Sequence, residues 1–179
     1  MTDDSAQKPE LDQETLEYIQ AVFELVRFGD AERLTPLLER GLPPNLLNQR
    51  GDSLLMLACY HGHLDVARAL LDHGADAALY NDQGQTPLQS AVFKGNVPVV
   101  DLLLEHGADV EGRGPDGRTA LMMAAMFNRT NMVDLLLERG ADLYARDARG
   151  LSALDAARAM GAPETAARLE ALMGEGRER

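Results

Sequence analysis

The chain has 179 residues, 45% hydrophobic and 26% charged, the composition of about one folded globular domain rather than a disordered or membrane-spanning chain. Its formal net charge is −12 and its pI near 4.7, so general binding to nucleic acid or to an anionic membrane is not expected. Aromatics make up only 4%, tryptophan is absent, and the lone Cys59 permits no internal disulfide; the core must come from Leu, Ala, Val and Met, and the expected compartment is reducing and cytoplasmic.

In chain order, residues 1–11 carry Asp3, Asp4, Pro9 and Glu10 where an export signal would need a basic stretch and then an apolar run, so they read as a flexible acidic tail. Two helices follow, over about 13–28 and 31–40. From Gly41 onward the chain repeats. Gly51, Gly84, Gly117 and Gly150 are spaced by 33, as are Leu55, Leu88, Leu121 and Leu154, and Ala58, Ala91, Ala124 and Ala157. Gly41, Gly74, Gly107 and Gly140 form a fourth series, and Ala-Asp follows three of those glycines. So many columns at one period identify stacked structural units.

Residues 81–113 illustrate the unit. Gly84 supplies a turn that needs positive φ. Thr86 is an N-cap, and Pro87 takes the first helical position, where a missing N–H costs nothing. The short helix 87–94 has small residues along it, so a neighbour can pack closely. A second helix over about 97–106 carries Val99, Val100, Leu103 and Leu104 at helical spacing, and Gly107 is a candidate cap. The chain then returns as an extended finger over 108–116. Neither helix can bury its apolar face alone; stacked neighbours can.

Gly84-Gln-Thr86-Pro87-Leu88-Gln-Ser-Ala91, followed by Leu103-Leu104-Glu-His-Gly107-Ala108-Asp109, resembles the ankyrin-repeat motif. Gly117-Arg-Thr119-Ala-Leu121 with Gly140-Ala141-Asp142, and Gly51-Asp-Ser53-Leu-Leu55 with Gly74-Ala75-Asp76, are further copies. The resemblance covers roughly 13–173. It implies an all-α ankyrin-repeat solenoid of three full helix-turn-helix repeats between two capping repeats, with short β-hairpin fingers. The expected domain is 12–173, with repeats near 13–47, 48–80, 81–113, 114–146 and 147–173, and a flexible tail at 174–179. The motif's histidine, which in the family hydrogen-bonds between turns, is replaced by Met56, Gln89, Met122 and Asp155. Asn128-Arg129 stands where Gly62-His63 stands two copies earlier, so that turn is expected to be altered. Arginine outnumbers lysine fifteen to two, which, with the Ala and Gly content, suggests a GC-rich bacterial genome.

The candidates for catalysis are weak. Gly112-Arg-Gly114-Pro-Asp-Gly117 matches a dinucleotide fingerprint, but Gly117 belongs to the repeat series and a finger precedes it rather than a buried strand. His61 and His63 lie at a helix end, and His73 and His106 recur one repeat apart; zinc would need three or four convergent ligands. Asp65, Asp72, Asp101, Glu105, Asp134 and Glu138 recur on the second helices and read as a solvated outer face. No catalytic, cofactor or metal residues are therefore expected, and no enzyme or small-molecule substrate.

In a solenoid the recurring residues hold the fold and the varying ones are free for recognition. The varying positions give an apolar stripe of Tyr60, Tyr80, Phe93, Met126 and Phe127, with Lys94 beside it and a rim of Arg50, Arg113, Arg118, Arg146 and Arg149. By the resemblance, fingers and first helices line one concave face. Residues 1–33 hold nine acids and three bases, net −6, half of the total. The finger segments carry five arginines against four aspartates, so the presumed binding face is not the acidic part of the molecule. The function expected is a non-enzymatic interaction module that binds a protein partner across this face, as a monomer or weak oligomer. The alternatives are an accessory or inhibitory subunit of an enzyme complex, or a self-associating structural protein.

Overall fold

A computed structural model describes residues 12–175. The tail expected at 1–11 lies outside the described residues. At the other end the last helix continues to Glu175, past the expected boundary at 173, and 176–179 are outside.

Among the described residues there are ten helices in five antiparallel pairs: α1 (Gln13–Phe28) with α2 (Ala31–Glu39), α3 (Leu54–His61) with α4 (Leu64–Asp72), α5 (Pro87–Lys94) with α6 (Val97–Glu105), α7 (Ala120–Met126) with α8 (Thr130–Glu138), and α9 (Ala153–Ala159) with α10 (Pro163–Glu175). The first helices stack in the order α1, α3, α5, α7, α9, and each second helix packs behind its own first helix. The fold is the all-α solenoid expected. None of these helices is long and apolar enough to cross a membrane.

Local chemistry sets the helix starts. Ser53, Thr86, Thr119 and Ser152 stand 33 apart, and each hydroxyl accepts the backbone N–H three residues on. At Thr86 and Ser152 the reply comes from Gln89 and Asp155, whose side chains accept the N-cap N–H to complete capping boxes. The first helices are buried almost all round because a neighbour covers each side: Leu54 to Cys59 in α3, Pro87 to Val92 in α5 and Ala120 to Ala125 in α7. The second helices are buried on one face only, as at Val66, Ala67 and Leu70 of α4. Phe23 is the one aromatic buried among the described residues; the core is otherwise Leu, Val, Ala, Met and Cys59, as composition required.

The motif's histidine position is refilled in two ways. Met56 and Met122 are buried, so adaptable packing stands in for polar contacts there. Gln89, 1% exposed, donates from Nε2 to the Arg118 carbonyl of the next unit at 2.5 Å, so a polar bond between repeats survives at that copy.

The fingers differ from the expected hairpins. Among the described residues the one β contact is an isolated antiparallel bridge between Leu47 and Ser53. At three tips one backbone bond crosses the finger, Asn48 N–H to the Asp52 carbonyl, Asn81 to Gln85 and Asp147 to Leu151, each at 3.0 Å, and side chains close the rest. Asn48 Oδ1 accepts the N–H groups of Arg50 and Asp52, both at 2.9 Å; Asn81 Oδ1 accepts those of Gln83 and Gln85, both at 3.0 Å. Asp147 Oδ1 does the same for Arg149 and Leu151 at 2.8 and 2.9 Å. The side-chain oxygen takes the return N–H of Asp52, Gln85 or Leu151 that a regular hairpin would pair with the opposite carbonyl, so the ladder stays short. The third finger has Gly114 at this position. A Cβ there would sit 2.3 Å from the Gly84 carbonyl oxygen, so backbone approach between fingers excludes a capping side chain. This also accounts for the glycines of the fingerprint: Gly114 admits the neighbouring finger, and Gly117 turns the tip at φ 71°.

Candidate functional site

The first helices end on an aromatic ladder. Tyr60 closes α3 and stacks on Phe93 of α5, with centroids 6.2 Å apart and planes 14° apart. Phe93 meets Phe127, the residue after α7, edge to face at 4.6 Å and 81°. Three successive units thus contribute one ring each. Tyr60 and Phe127 are 41% and 38% exposed, and Phe93 is half-buried between them. Lys94 lies with its Nζ 4.5 Å from the centre of the Tyr60 ring, a cation–π geometry.

Opposite the ladder stand the fingers. Between the two walls runs a groove of about 620 Å³, lined by Arg27, Gln49, Arg50, Asp52, Met56, Leu57, Tyr60, His61, Asn81, Asp82, Gln83, Gln85, Ser90, Phe93 and Phe127. One wall is aromatic, the floor is Met56, Leu57 and Ser90, and the finger wall carries amides that both donate and accept. Its formal charge is zero, Arg27 and Arg50 set against Asp52 and Asp82. Asp52 is held rigidly for a surface carboxylate: it is buried, accepts from Asn48 at 3.0 Å and Asn81 at 2.7 Å, and pairs with Arg50 at 3.3 Å.

Of the residues expected at the site, the structure brings Arg50, Tyr60, Phe93 and Phe127 together in this groove, with Lys94 at its edge in an adjoining hollow of about 500 Å³. Met126 is half-buried at the end of α7, and Tyr80 is 51% exposed; neither lines the groove. Arg113, Arg118, Arg146 and Arg149 belong to the later fingers and lie outside it. The arginine rim is locally neutralised, since Arg113 pairs with Glu111, Arg118 with Asp116, Arg146 with Asp155 and Arg149 with Asp147. Sequence reasoning missed Arg27, Met56, Leu57, Asn81 and Ser90 as lining residues. Extending the 33-residue column back from Tyr60 would have found Arg27.

The remaining candidates are structural in setting. Cys59 is fully buried, and burial pushes its thiol far above the usual range. Burial, then the positive charge of His63, Arg27 and Lys94, lowers the His61 imidazole. His106 Nε2 lies 3.2 Å from Asp72 Oδ1 across two units, and His73 Nδ1 donates to the Ala69 carbonyl at 2.7 Å. Among the described residues no three His, Cys, Asp or Glu side chains converge as metal ligands would. On the outer face, three of the solvent-accessible carboxylates also bridge units: Asp72, Asp101 and Asp134 pair with His106, Arg139 and Arg168 of the following unit at 3.2, 2.5 and 2.8 Å.

Compared with known proteins, residues 21–114 match a family model described as ankyrin repeats in three copies, and residues 94–157 match a second described as ankyrin repeats in many copies. A curated ankyrin repeat protein of Pseudomonas aeruginosa is 57% identical over 68 residues, which is 38% of this chain. The match spans 39% of that relative's length, about two fifths.

Proposed function

The chain belongs to the ankyrin-repeat family, and from that premise we propose that it is a non-enzymatic interaction module that holds one protein partner in the groove between its fingers and its aromatic ladder. Ankyrin repeats are in general protein–protein interaction modules, and solenoids use their extended concave surfaces for this purpose. The observation that carries the reading is the ladder of Tyr60, Phe93 and Phe127. Three units each leave a large ring at one edge of a polar groove. Aromatic side chains are enriched at interface cores, where a few anchors carry most of the binding energy.

The wider set of Tyr80, Met126, Arg113, Arg118, Arg146 and Arg149 would serve as the continuation of this face along the later fingers. Residues 12–173 would act as one unit. The lone buried thiol suits a reducing, cytoplasmic setting.

The test is affinity capture from the source cells with the tagged chain, repeated with Phe93→Ala/Phe127→Ala and with Asp65→Ala on the outer face. A partner retained by the wild type and by Asp65→Ala, and lost at least tenfold by the double variant, supports the groove. Equal capture by all three, with helical circular dichroism intact, overturns it. Sedimentation of the purified chain separates self-association from hetero-binding: a monomer at tens of micromolar disfavours the former.

A further inference from the structure

Among the cations that line the groove and the adjoining hollow, Lys94 stands apart; Arg129 nearby is in no ion pair either, but its guanidinium donates to the Phe93 carbonyl at 3.2 Å. The arginines of the groove and rim each have a carboxylate of their own: Arg27 pairs with Glu24, Arg50 with Asp52, and the later finger arginines likewise. Among the described residues, none of the ion pairs includes Lys94. Its Nζ rests over the rings of Tyr60 and Phe93, 4.5 and 6.0 Å from their centres, and the residue is exposed. His61 and His63 stack 5.9 Å apart beside it, and burial, then the charges of His63, Arg27 and Lys94, drive the His61 ring toward its neutral form. On a chain of net charge −12 this is a local positive spot, and it sits where the groove opens into the adjoining hollow; Tyr60 and His61 line both.

The geometry points to a peptide segment of defined chemistry: an apolar side chain laid on the Tyr60–Phe93–Phe127 ladder, next in sequence to a single carboxylate that reaches Lys94 in the hollow. This rests on the groove reading above and adds the partner's anchor to it. Charge decides the carboxylate. Of the cations that line the groove and the hollow, Lys94 alone has no ion pair and so matches one carboxylate, whereas a phosphate at about −1.5 to −2 would leave charge unmatched there. The ladder decides the apolar neighbour, because a flat exposed ring gains by covering a ring or branched chain of its partner.

The probes are N-acetyl-phenylalanyl-glutamate amide and its glutamine analogue, titrated into the full chain and followed by NMR at the Lys94 Cε and the groove rings. The glutamate peptide is expected to bind about two- to fivefold more tightly than the glutamine peptide, the range for an exposed charge pair. That preference should vanish in Lys94→Gln, persist in Lys94→Arg, and shrink at 0.5 M salt. Equal binding of both peptides, or a preference that survives Lys94→Gln, overturns the carboxylate anchor and leaves the groove standing. Tighter binding of a phenylalanyl-phosphoserine peptide overturns the single-charge argument. No shift of the groove rings with any peptide overturns the groove reading itself.

Discussion

Asp147 does at one finger tip what Asn48 and Asn81 do at two others, and the difference is a charge. Its Oδ1 accepts the N–H groups of Leu151 and Arg149, and its Oδ2 lies 3.3 Å from the Arg149 guanidinium. The Leu151 hydrogen bond is the main cause that holds this carboxyl below its ordinary value of 3.8, with the bonds and charge of Arg149 adding to it. A carboxyl with a depressed folded pKa stabilises the fold above its unfolded value, and that contribution disappears as pH falls through the folded one. Stability attributable to Asp147 should therefore be full above about pH 4 and lost on further acidification. Asp147→Asn keeps the acceptor, as Asn48 and Asn81 demonstrate, and removes the titration. Urea unfolding should find the variant within about 1 kcal/mol of wild type at pH 7. Its stability should fall less steeply than wild type between pH 4 and 2.5; parallel acid arms would show that the finger bonds do not couple to folding. The turn glycines and the cap hydroxyls were legible in the sequence because a local conformation demands them. That an Asn or Asp would close three of the four fingers, and cut the hairpin short there, was not. The same residue types serve helix caps and turns equally well, and only the finished loop selects between the two.

At the scale of the helix, the link between α7 and α8 carries the largest local departure. Four of the five corresponding positions are glycine with positive φ; the fifth is Asn128 at φ 54°. The strain has a return. Asn128 Oδ1 accepts the N–H groups of Glu164 and Thr165, both at 3.1 Å, and so caps α10 from the neighbouring unit. Thr165 adds a hydroxyl bond to the Ala125 carbonyl at 2.8 Å. Replacing Asn128 by glycine removes a left-handed cost of at most about 1–2 kcal/mol, which Asn already softens. It also removes two hydrogen bonds of about 0.5–1.5 kcal/mol each. The second effect should win. Asn128→Gly is expected to lose about 1 kcal/mol, with faster hydrogen exchange concentrated in the first turns of α10. A more stable variant with unchanged exchange there would reverse that balance. The break of the glycine column at 128 predicts an altered turn, but the backbone keeps the left-handed conformation and the paired bonds of the other units, Asn128 N–H to the Ala125 carbonyl and Arg129 N–H to that of Ala124. The sequence could not say what the asparagine does, because its partners lie 36 and 37 residues away.

Across the whole molecule the stack is not uniform. The first and second pairs of full repeats differ in how their fingers join. Asp82 N–H donates to the Arg50 carbonyl at 3.2 Å, and Ala148 N–H to the Asp116 carbonyl at 3.0 Å. The corresponding donor between them would be residue 115, which is proline and has no N–H. At the same junction α5 and α7 pack less closely than α3 with α5 or α7 with α9. Its hydrogen bonds come through side chains: Gln89 to the Arg118 carbonyl, Arg129 to the Phe93 carbonyl, Arg139 to Asp101, and Glu111 accepting the Asp142 N–H. In a nearest-neighbour stack the weakest junction is where cooperativity breaks. Native-state hydrogen exchange in rising urea should find the amides of α7–α10 opening as a block, apart from those of α3–α5. Pro115→Ala, which supplies an N–H facing the Gln83 carbonyl, should draw the two blocks together. A single common opening free energy in the wild type would refute the weak junction.

The division between sequence and structure follows from range. Columns of Gly, Leu, Ala and Ser/Thr at period 33 determined the repeat, the helix pairs, their caps and the aliphatic core, because each unit imposes the same local conformation and the same face to bury. The varying positions were legible only as a set. Tertiary structure decided which of them meet: stacking brought Tyr60, Phe93 and Phe127 within one ladder, left Tyr80 and Met126 outside the groove, and paired each rim arginine with a carboxylate. Ring contact and ion pairing are set at a few ångströms between residues a whole repeat apart or across a turn, where rotamer and finger path rule. A count of charges along the chain cannot see them. It found five arginines on this face; the fold left Lys94 as the one cation lining the groove or its hollow that no ion pair among the described residues includes.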